Sequence, residues 1–193
     1  PPLLPLFISL SYRLFGIHEW STRLVPLLTS LGLLLLVFWL ARKLGGKGVA
    51  LIASLFFALL PVQAYYGTLP VPHVLGSFFS WLTIVSYLRW VETRSTKWCA
   101  AIYLSFILAA LSDWPSYFVV PPLLLHYMVC EYRKTKNLRF VFSFAILPVV
   151  LLAVHLGWIY LLAGEGGVRK LFDRFLIRTI SSGSEEGQYV FTM

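Results

Sequence analysis

The run VALIASLFFALLPVQAYYGTLPVPHVLGSFFSWLTIVSYL, residues 49–88, contains no Asp, Glu, Lys or Arg. A helix that crosses a membrane needs about 20 mainly apolar residues, so this run is long enough for two crossings. The segment GTLPVP, residues 67–72, interrupts it, and glycine and proline clustered in this way predict a break between helices. The run therefore predicts two spans, at about residues 49–65 and 73–88, joined by an uncharged turn.

Uncharged runs of the same kind continue on both sides of this pair. They predict further spans at residues 24–41, 98–112, 114–130 and 140–163. The proline-rich stretch at residues 1–15 contains Arg13, and we expect a short interfacial helix or a packed stub there. The sequence thus predicts an all-α, polytopic bundle of about six transmembrane helices over residues 1–164.

The composition excludes a water-soluble globule. Of the 193 residues, 59% are hydrophobic and 12% are charged, and the mean hydropathy is +0.79. A soluble domain typically has about 25% charged residues. The net charge of +8 would suit nucleic acid, but the basic residues form short clusters between apolar runs, which is typical of membrane proteins. We therefore expect a lipid bilayer, and no nucleic acid, as a partner.

The basic clusters also predict the orientation of the chain. The loops at residues 42–47, 89–97 and 131–139 are rich in Lys and Arg, whereas the turn at residues 66–72 has no charge and the next one contains only Asp113. Because short basic loops stay on the cytoplasmic side, the uncharged turns are expected to face outward. The sequence predicts a multi-pass protein of the plasma membrane or endoplasmic reticulum, with an outward or lumenal active face.

Residues 165–193 form a second region, which we expect to begin with an amphipathic helix lying on the outer surface of the membrane. Apolar residues from Val168 to Leu176 recur at helical spacing, and basic residues take the opposite face. Arg169, Lys170 and Arg174 are candidate ligands of a lipid phosphate; ordinary attraction to anionic headgroups is the alternative, because it uses the same electrostatics. A polar loop is expected after this helix.

Asp113 is the first candidate substrate-binding residue. It lies at the outer mouth between two predicted spans, where a charge is costly and usually has a functional or pairing role. The alternative is a helix cap, since Asp followed two residues later by Pro suits a helix start.

His73, Tyr66 and Tyr117 complete the candidate substrate-binding set. His73 is at the outer start of a span and Tyr66 is suited to stack on a sugar ring, although a solvated histidine and an interfacial tyrosine anchor are the structural alternatives. The histidines do not cluster at ligand spacing, so neither a metal site nor a cofactor is expected.

Several short motifs follow one another in a recognisable order. They are PPLL at residues 1–4, LFG at residues 14–16, WSTRL at residues 20–24, the basic turn RKLGGK at residues 42–47, and ALLP at residues 58–61. Their succession resembles the dolichyl-phosphate-mannose protein mannosyltransferase-like superfamily, glycosyltransferase family 39-like, which includes the bacterial aminoarabinose transferases. The resemblance covers roughly residues 1–130 and implies part of a GT-C membrane domain.

The resemblance also implies a chemistry. Such enzymes transfer a sugar from a polyprenyl-phosphate donor to a protein, lipid or glycan acceptor at the outer face, with inversion of configuration. The family's carboxylate base would precede Pro1, so the catalytic residue is not assigned within this chain, and the segment alone is expected to be inactive. Many relatives have a basic residue near the turn that here contains Asp113.

A fragment of a transporter or permease is the alternative hypothesis. A transporter is expected to have charged groups near the bilayer midplane and often an inverted repeat. The predicted spans contain no charged residue in their interiors, and their polar residues lie towards the outer ends. This distribution favours chemistry at the outer surface over passage through the middle of the bundle.

Overall fold

The computed structural model describes residues 2–132 and 138–180, apart from the side chains of residues 171, 172, 174, 175 and 177–180. Within these residues every regular element is helical, as the sequence predicts. The elements are α1 (Leu3–Phe15), α2 (Glu19–Leu59), α3 (Pro61–Tyr66), α4 (Pro72–Thr93), α5 (Thr96–Ser112), a 3-10 helix (Trp114–Val119), α6 (Val120–His126), a π-helical turn (Tyr127–Glu131) and α7 (Leu138–Ile180). The chain forms two compact units: the first ends at Pro148 and the second begins at Val149.

Three of the described helices are long and apolar enough to cross a membrane: α2, α4 and the part of α7 from Leu138 to Lys170. Helices α1 and α5 are apolar but shorter. Gly46 has a φ of 81°, and the bend there divides α2 into two arms. The first arm contains the span predicted at residues 24–41, and the second contains much of the span predicted at residues 49–65. The prediction of an all-helical membrane bundle is therefore confirmed, and the chain is part of an integral membrane protein.

The span predicted at residues 114–130 is not one regular α-helix. It begins as a 3-10 helix, continues as the short α6, and ends in the π-helical turn. Pro115, Pro121 and Pro122 fall in this stretch. Proline has no backbone N–H and clashes with the preceding turn, so a regular ladder of hydrogen bonds cannot run through these positions.

Helix α4 contacts both α5 and the first arm of α2. A hydrogen bond of 2.9 Å from Thr83 Oγ1 to Ser105 Oγ joins α4 to α5 within the apolar interior. The first arm of α2 comes close enough at Gly32 that an added Cβ would lie 2.6 Å from the ring of Phe78. The buried core of this unit combines α1, α4 and α5 and consists of Leu3, Leu4, Leu75, Phe79 and Ala109.

Ion pairs link the basic loops at one end of α4. Lys43, which precedes the bend of α2 at Gly46, pairs with Glu92, and Arg94, after α4, pairs with the buried Glu131. The guanidinium of Arg89 also lies 4.7 Å from the centre of the Trp39 ring. These contacts bring three of the predicted basic segments to the same end of the unit. The uncharged turns, with their candidate residues, lie at the other end of α4.

Candidate functional site

The start of α4 is fixed by the turn that precedes it. Ser30 Oγ in α2 donates a 3.0 Å hydrogen bond to the Gly67 carbonyl, which ties the turn to the bundle. Val71 is extended and Pro72 is the first residue of α4. Proline suits this position, because the first turn of a helix leaves its N–H groups without intrahelical partners. His73 consequently lies in the first turn of α4.

Asp113 is held in place by the backbone of the next element. It is extended (φ −157°, ψ 148°) at the end of α5, and its Oδ1 accepts a 2.9 Å hydrogen bond from the Trp114 N–H at the start of the 3-10 helix. Only 7% of the residue is exposed. The capping interpretation of Asp113 is therefore confirmed, and it occupies only one of the two carboxylate oxygens.

The second oxygen of Asp113 pairs with His73. His73 Nδ1 and Asp113 Oδ2 lie 2.5 Å apart, although the two residues are 40 positions apart in the sequence. The His73 side chain remains 66% exposed. In the part of the chain that the structure describes, its Nε2 has no hydrogen-bond partner. An exposed imidazole is thus anchored through one nitrogen to a nearly buried carboxylate.

Gly76 permits the close approach that makes this pair possible. It lies one helical turn after His73, and a Cβ built on it would be 2.6 Å from Asp113 Cβ and 3.3 Å from Ser116 Oγ. Ser116 Oγ donates a long hydrogen bond of 3.5 Å to the Gly76 carbonyl. A glycine inside a helix indicates close contact with a neighbouring segment, but it does not indicate which segment that is.

The two candidate tyrosines have different positions. Tyr117 is in the 3-10 helix that Asp113 caps, and its ring lies 6.3 Å from the ring of Trp114. Tyr66 ends α3, is exposed, and contacts the ring of Tyr65 edge-on at 5.1 Å. Among the described residues, no hydrogen bond or ring contact joins Tyr66 to His73 or Asp113. The structure therefore brings His73 and Asp113 together, and it places Tyr117 in the helix that Asp113 caps without a hydrogen bond or ring contact to either of them among the described residues.

An apolar cavity of about 450 Å³ opens beside the 3-10 helix. Its lining includes Tyr117 and Phe118 from that helix, Pro121 from α6, and Ala145 and Pro148 from α7. The lining contributes almost no polar surface. Tyr117 belongs both to this cavity and to the element capped by Asp113, whereas His73 and Asp113 do not line the cavity.

The predicted phosphate ligands belong to the second unit. Gly164 has a φ of 64° and bends α7, so the chain turns there as its glycines predict. Arg169 and Lys170 are exposed on the helix beyond the bend, and Arg169 lines a small cavity with Tyr160, Glu165 and Val168. The side chain of Arg174 and the predicted polar loop after Ile180 lie outside the described residues.

Sequence patterns did not reveal two polar contacts elsewhere in the first unit. Tyr87 Oη and His126 Nδ1 are 2.8 Å apart, and Glu131 is paired with Arg94 although only 5% of it is exposed. The four residues come from separate elements and lack a motif, so no local pattern predicts these contacts. Both occur near the π-helical turn, well along α4 from His73.

A comparison with protein families matches residues 1–158 to the model of dolichyl-phosphate-mannose-protein mannosyltransferases. The chain belongs to the dolichyl-phosphate-mannose-protein mannosyltransferase family. The resemblance inferred from PPLL, LFG and WSTRL is therefore correct, and in this family member the match reaches beyond the Asp113 turn into α7.

Curated relatives of this family member come from two bacteria. An uncharacterized protein of Aquifex aeolicus is 29% identical over 182 residues, which are 93% of this chain and 40% of the relative. A Bacillus subtilis protein named "Putative mannosyltransferase YkcB" is 28% identical over 161 residues, 82% of this chain and 22% of the relative. The chain thus spans less than half the length of these relatives. No solved structure matches it.

Proposed function

We propose that the full-length protein is an inverting membrane glycosyltransferase. It takes a sugar from a polyprenyl-phosphate donor and transfers it to a protein, lipid or glycan acceptor at the outer or lumenal face. The observation that carries the proposal is a polar pair at one end of a helical unit whose sequence matches a mannosyltransferase family. The name of the Bacillus subtilis relative agrees with this class of activity.

The site at the Asp113 end suits a sugar in several respects. His73, held by the nearly buried Asp113, presents an exposed hydrogen-bonding group at this end of α4, as sugar hydroxyls require. Aromatic rings are available for stacking at Tyr117 and, across the turn, at Tyr66. A binding site of this kind typically combines a few placed polar groups with apolar walls. We assign these four residues to the sugar and the acceptor.

The lipid part of the donor is assigned to apolar surface. The cavity beside Tyr117 is nearly free of polar groups, so an isoprenoid chain could enter it without leaving a buried polar atom unpaired. Arg169, Lys170 and Arg174 are proposed to bind the donor phosphate, since cations at a membrane interface attract phosphate oxygens. The Lys and Arg residues that the structure gathers at the opposite end of α4 support the assignment of that end to the cytoplasm.

A transfer assay on the full-length protein in lipid vesicles tests the proposal. The donors are radiolabelled polyprenyl-phosphate mannose and its glucose and pentose analogues, and a membrane extract supplies acceptors. We expect label to move from at least one donor to an acceptor. Vesicles that contain the folded Arg169→Ala/Lys170→Ala protein are the comparison, and a raised KM for the donor is expected there.

Two results would count against the proposal in different ways. Absence of transfer from every donor, with a folded protein, would reject the glycosyltransferase function and favour the transporter hypothesis, which solute uptake into the same vesicles then tests. Unchanged donor KM in the Arg169→Ala/Lys170→Ala protein would reject only the phosphate assignment.

A further inference from the structure

We propose that the basic end of α4 contains a binding site for one anionic phospholipid, formed by Lys43 and Arg89 at the ring of Trp39. The Lys43 ammonium lies 5.5 Å and the Arg89 guanidinium 4.7 Å from the centre of this ring. The site is at the opposite end of α4 from His73, and its ligand is a membrane lipid that is not a substrate. The inference is therefore independent of the proposed function.

The charges of this cluster do not balance. Glu92 pairs with Lys43 through one carboxylate oxygen, and its other oxygen lies 3.8 Å from Arg89 Nη1. In the described part of the chain, no other carboxylate contacts either cation. One carboxylate thus serves two cations, and a positive charge remains in excess. A ligand with a single negative charge would neutralise the cluster.

Arg89 also has unused hydrogen-bonding capacity. Its 3.8 Å contact with Glu92 is too long for a hydrogen bond, and its guanidinium donates none to any other described residue. A guanidinium presents its N–H groups in a planar fork that matches two phosphate oxygens. The side chains of Lys43 and Arg89 are 33% and 40% exposed, so one phosphate can contact both groups.

The first arm of α2 provides an apolar surface beside this cluster. Leu35, Trp39 and Lys43 are four residues apart, so each lies about one turn further along the same side of the helix. Leu35 is exposed and Trp39 is partly buried. The order along this side is an apolar chain, an indole and an ammonium group. It matches the order of acyl chain, glycerol and phosphate in a phospholipid, and tryptophan favours this level of a bilayer because its ring is amphipathic.

The apolar side of α2 and the excess charge together define the class of ligand. A free phosphate would contact the two cations but would leave the surface at Leu35 uncovered. A zwitterionic headgroup adds an ammonium group, which the excess positive charge repels. In phosphatidylglycerol the phosphate is the only charged group, so this lipid satisfies both conditions. Basic pockets between transmembrane helices bind anionic headgroups by the same electrostatics.

Native mass spectrometry of the full-length protein in detergent tests the proposal, with phosphatidylglycerol or phosphatidylcholine added at equal concentration. We expect the wild type to bind phosphatidylglycerol more tightly. Lys43→Gln/Arg89→Gln is expected to raise the Kd for this lipid by about tenfold or more, since a hydrogen bond to a charged group contributes at least about that factor.

Arg42→Gln/Lys97→Gln is the matched control. It also removes two exposed cations from this end of the unit, but neither of them lies at the ring of Trp39. Its Kd for phosphatidylglycerol is expected to stay close to the wild-type value. Equal losses in the two double variants would show general attraction to a basic surface and would overturn the site.

Two further results would overturn the proposal. The first is equal binding of the two lipids by the wild type. The second is displacement of phosphatidylglycerol by an equal concentration of glycerol 3-phosphate, which has the phosphate but no acyl chains, because it would identify a site for a free phosphate ester. If Lys43→Gln/Arg89→Gln does not fold, Arg89→Gln is compared with Lys97→Gln, and equal Kd values for phosphatidylglycerol there overturn the site.

Discussion

Substituting Gly76 by alanine should separate α4 from the Asp113 turn. The new methyl group would lie 2.6 Å from Asp113 Cβ, whereas carbon atoms pack best at about 3.5–4.0 Å. The two segments must therefore move apart by about 1 Å. The same separation would carry His73 Nδ1 away from Asp113 Oδ2. Their 2.5 Å contact would then exceed the limit of about 3.2 Å for a good N–H···O hydrogen bond.

The expected effect of Gly76→Ala is measurable in two ways. Overpacking of this size typically costs about 1–3 kcal/mol of unfolding free energy, which a lower Tm of the purified protein in detergent would reveal. Sugar transfer should fall by about 10²-fold, the loss associated with a 1 Å misplacement of reacting groups. Thermal unfolding followed by tryptophan fluorescence and the vesicle transfer assay provide the two readouts.

Gly48→Ala is the matched control for Gly76→Ala. Gly48 is also in a helix, but nothing lies within 4 Å of the position of an added Cβ. Its Tm is expected to stay the same or rise slightly, because alanine favours the helix by up to about 1 kcal/mol over glycine. If Gly76→Ala behaves like Gly48→Ala in both assays, the argument that a close approach at Gly76 holds the pair together is wrong.

Three further predictions concern stability. Arg94→Met removes a cationic partner of the buried Glu131 and should cost about 1–3 kcal/mol, below the value for a fully buried pair because Arg94 is partly exposed. Thr83→Val removes the hydrogen bond to Ser105 and should cost about 0.6 kcal/mol, the average for such bonds between membrane helices. Gly46→Ala forces a side chain into a backbone conformation that is largely restricted to glycine and should cost about 1–3 kcal/mol, although no atom crowds the site. Each is measured as a change in Tm in detergent.

Matched substitutions distinguish these specific losses of stability from a nonspecific destabilisation of the fold. Lys43→Met removes an exposed partner of Glu92 and should cost less than about 1 kcal/mol. A loss as large as that of Arg94→Met would contradict the role of burial. Thr83→Ser keeps the hydroxyl, so a loss equal to that of Thr83→Val would show that packing matters there and the bond does not. A wild-type Tm for Gly46→Ala would exclude strain at that bend.

The helical class of the chain could be predicted because its cause is local. The apolar run at residues 49–88 and its interruption at residues 67–72 are sufficient to predict α4 and the turn before it. Proline restricts the residue before it, which explains why α2 ends near Leu60 and α3 begins at Pro61. The local rule failed at residues 114–130, since hydrophobicity does not distinguish an α-helix from the 3-10 and π-helical turns that the prolines impose.

For the candidate site, the sequence indicates individual residues but not the contacts between them. Their positions at the ends of predicted spans made Asp113 and His73 candidates. The contact between His73 and Asp113 could not be predicted, because it depends on how α4 and α5 pack and on the small size of Gly76. Capping and pairing are not alternatives for Asp113, because one carboxylate oxygen caps the 3-10 helix and the other contacts His73.

Because His73 and Asp113 are in direct contact, the two positions cannot change independently during evolution. A homologue with Lys or Arg in place of Asp113 would remove the acceptor that the imidazole contacts, unless the residue in place of His73 became Asp or Glu. We therefore expect the two positions to covary in sign across the family, with a carboxylate on one helix and a nitrogen base on the other. An alignment of homologues in which the two positions vary without correlation would show that the pair is peculiar to this protein.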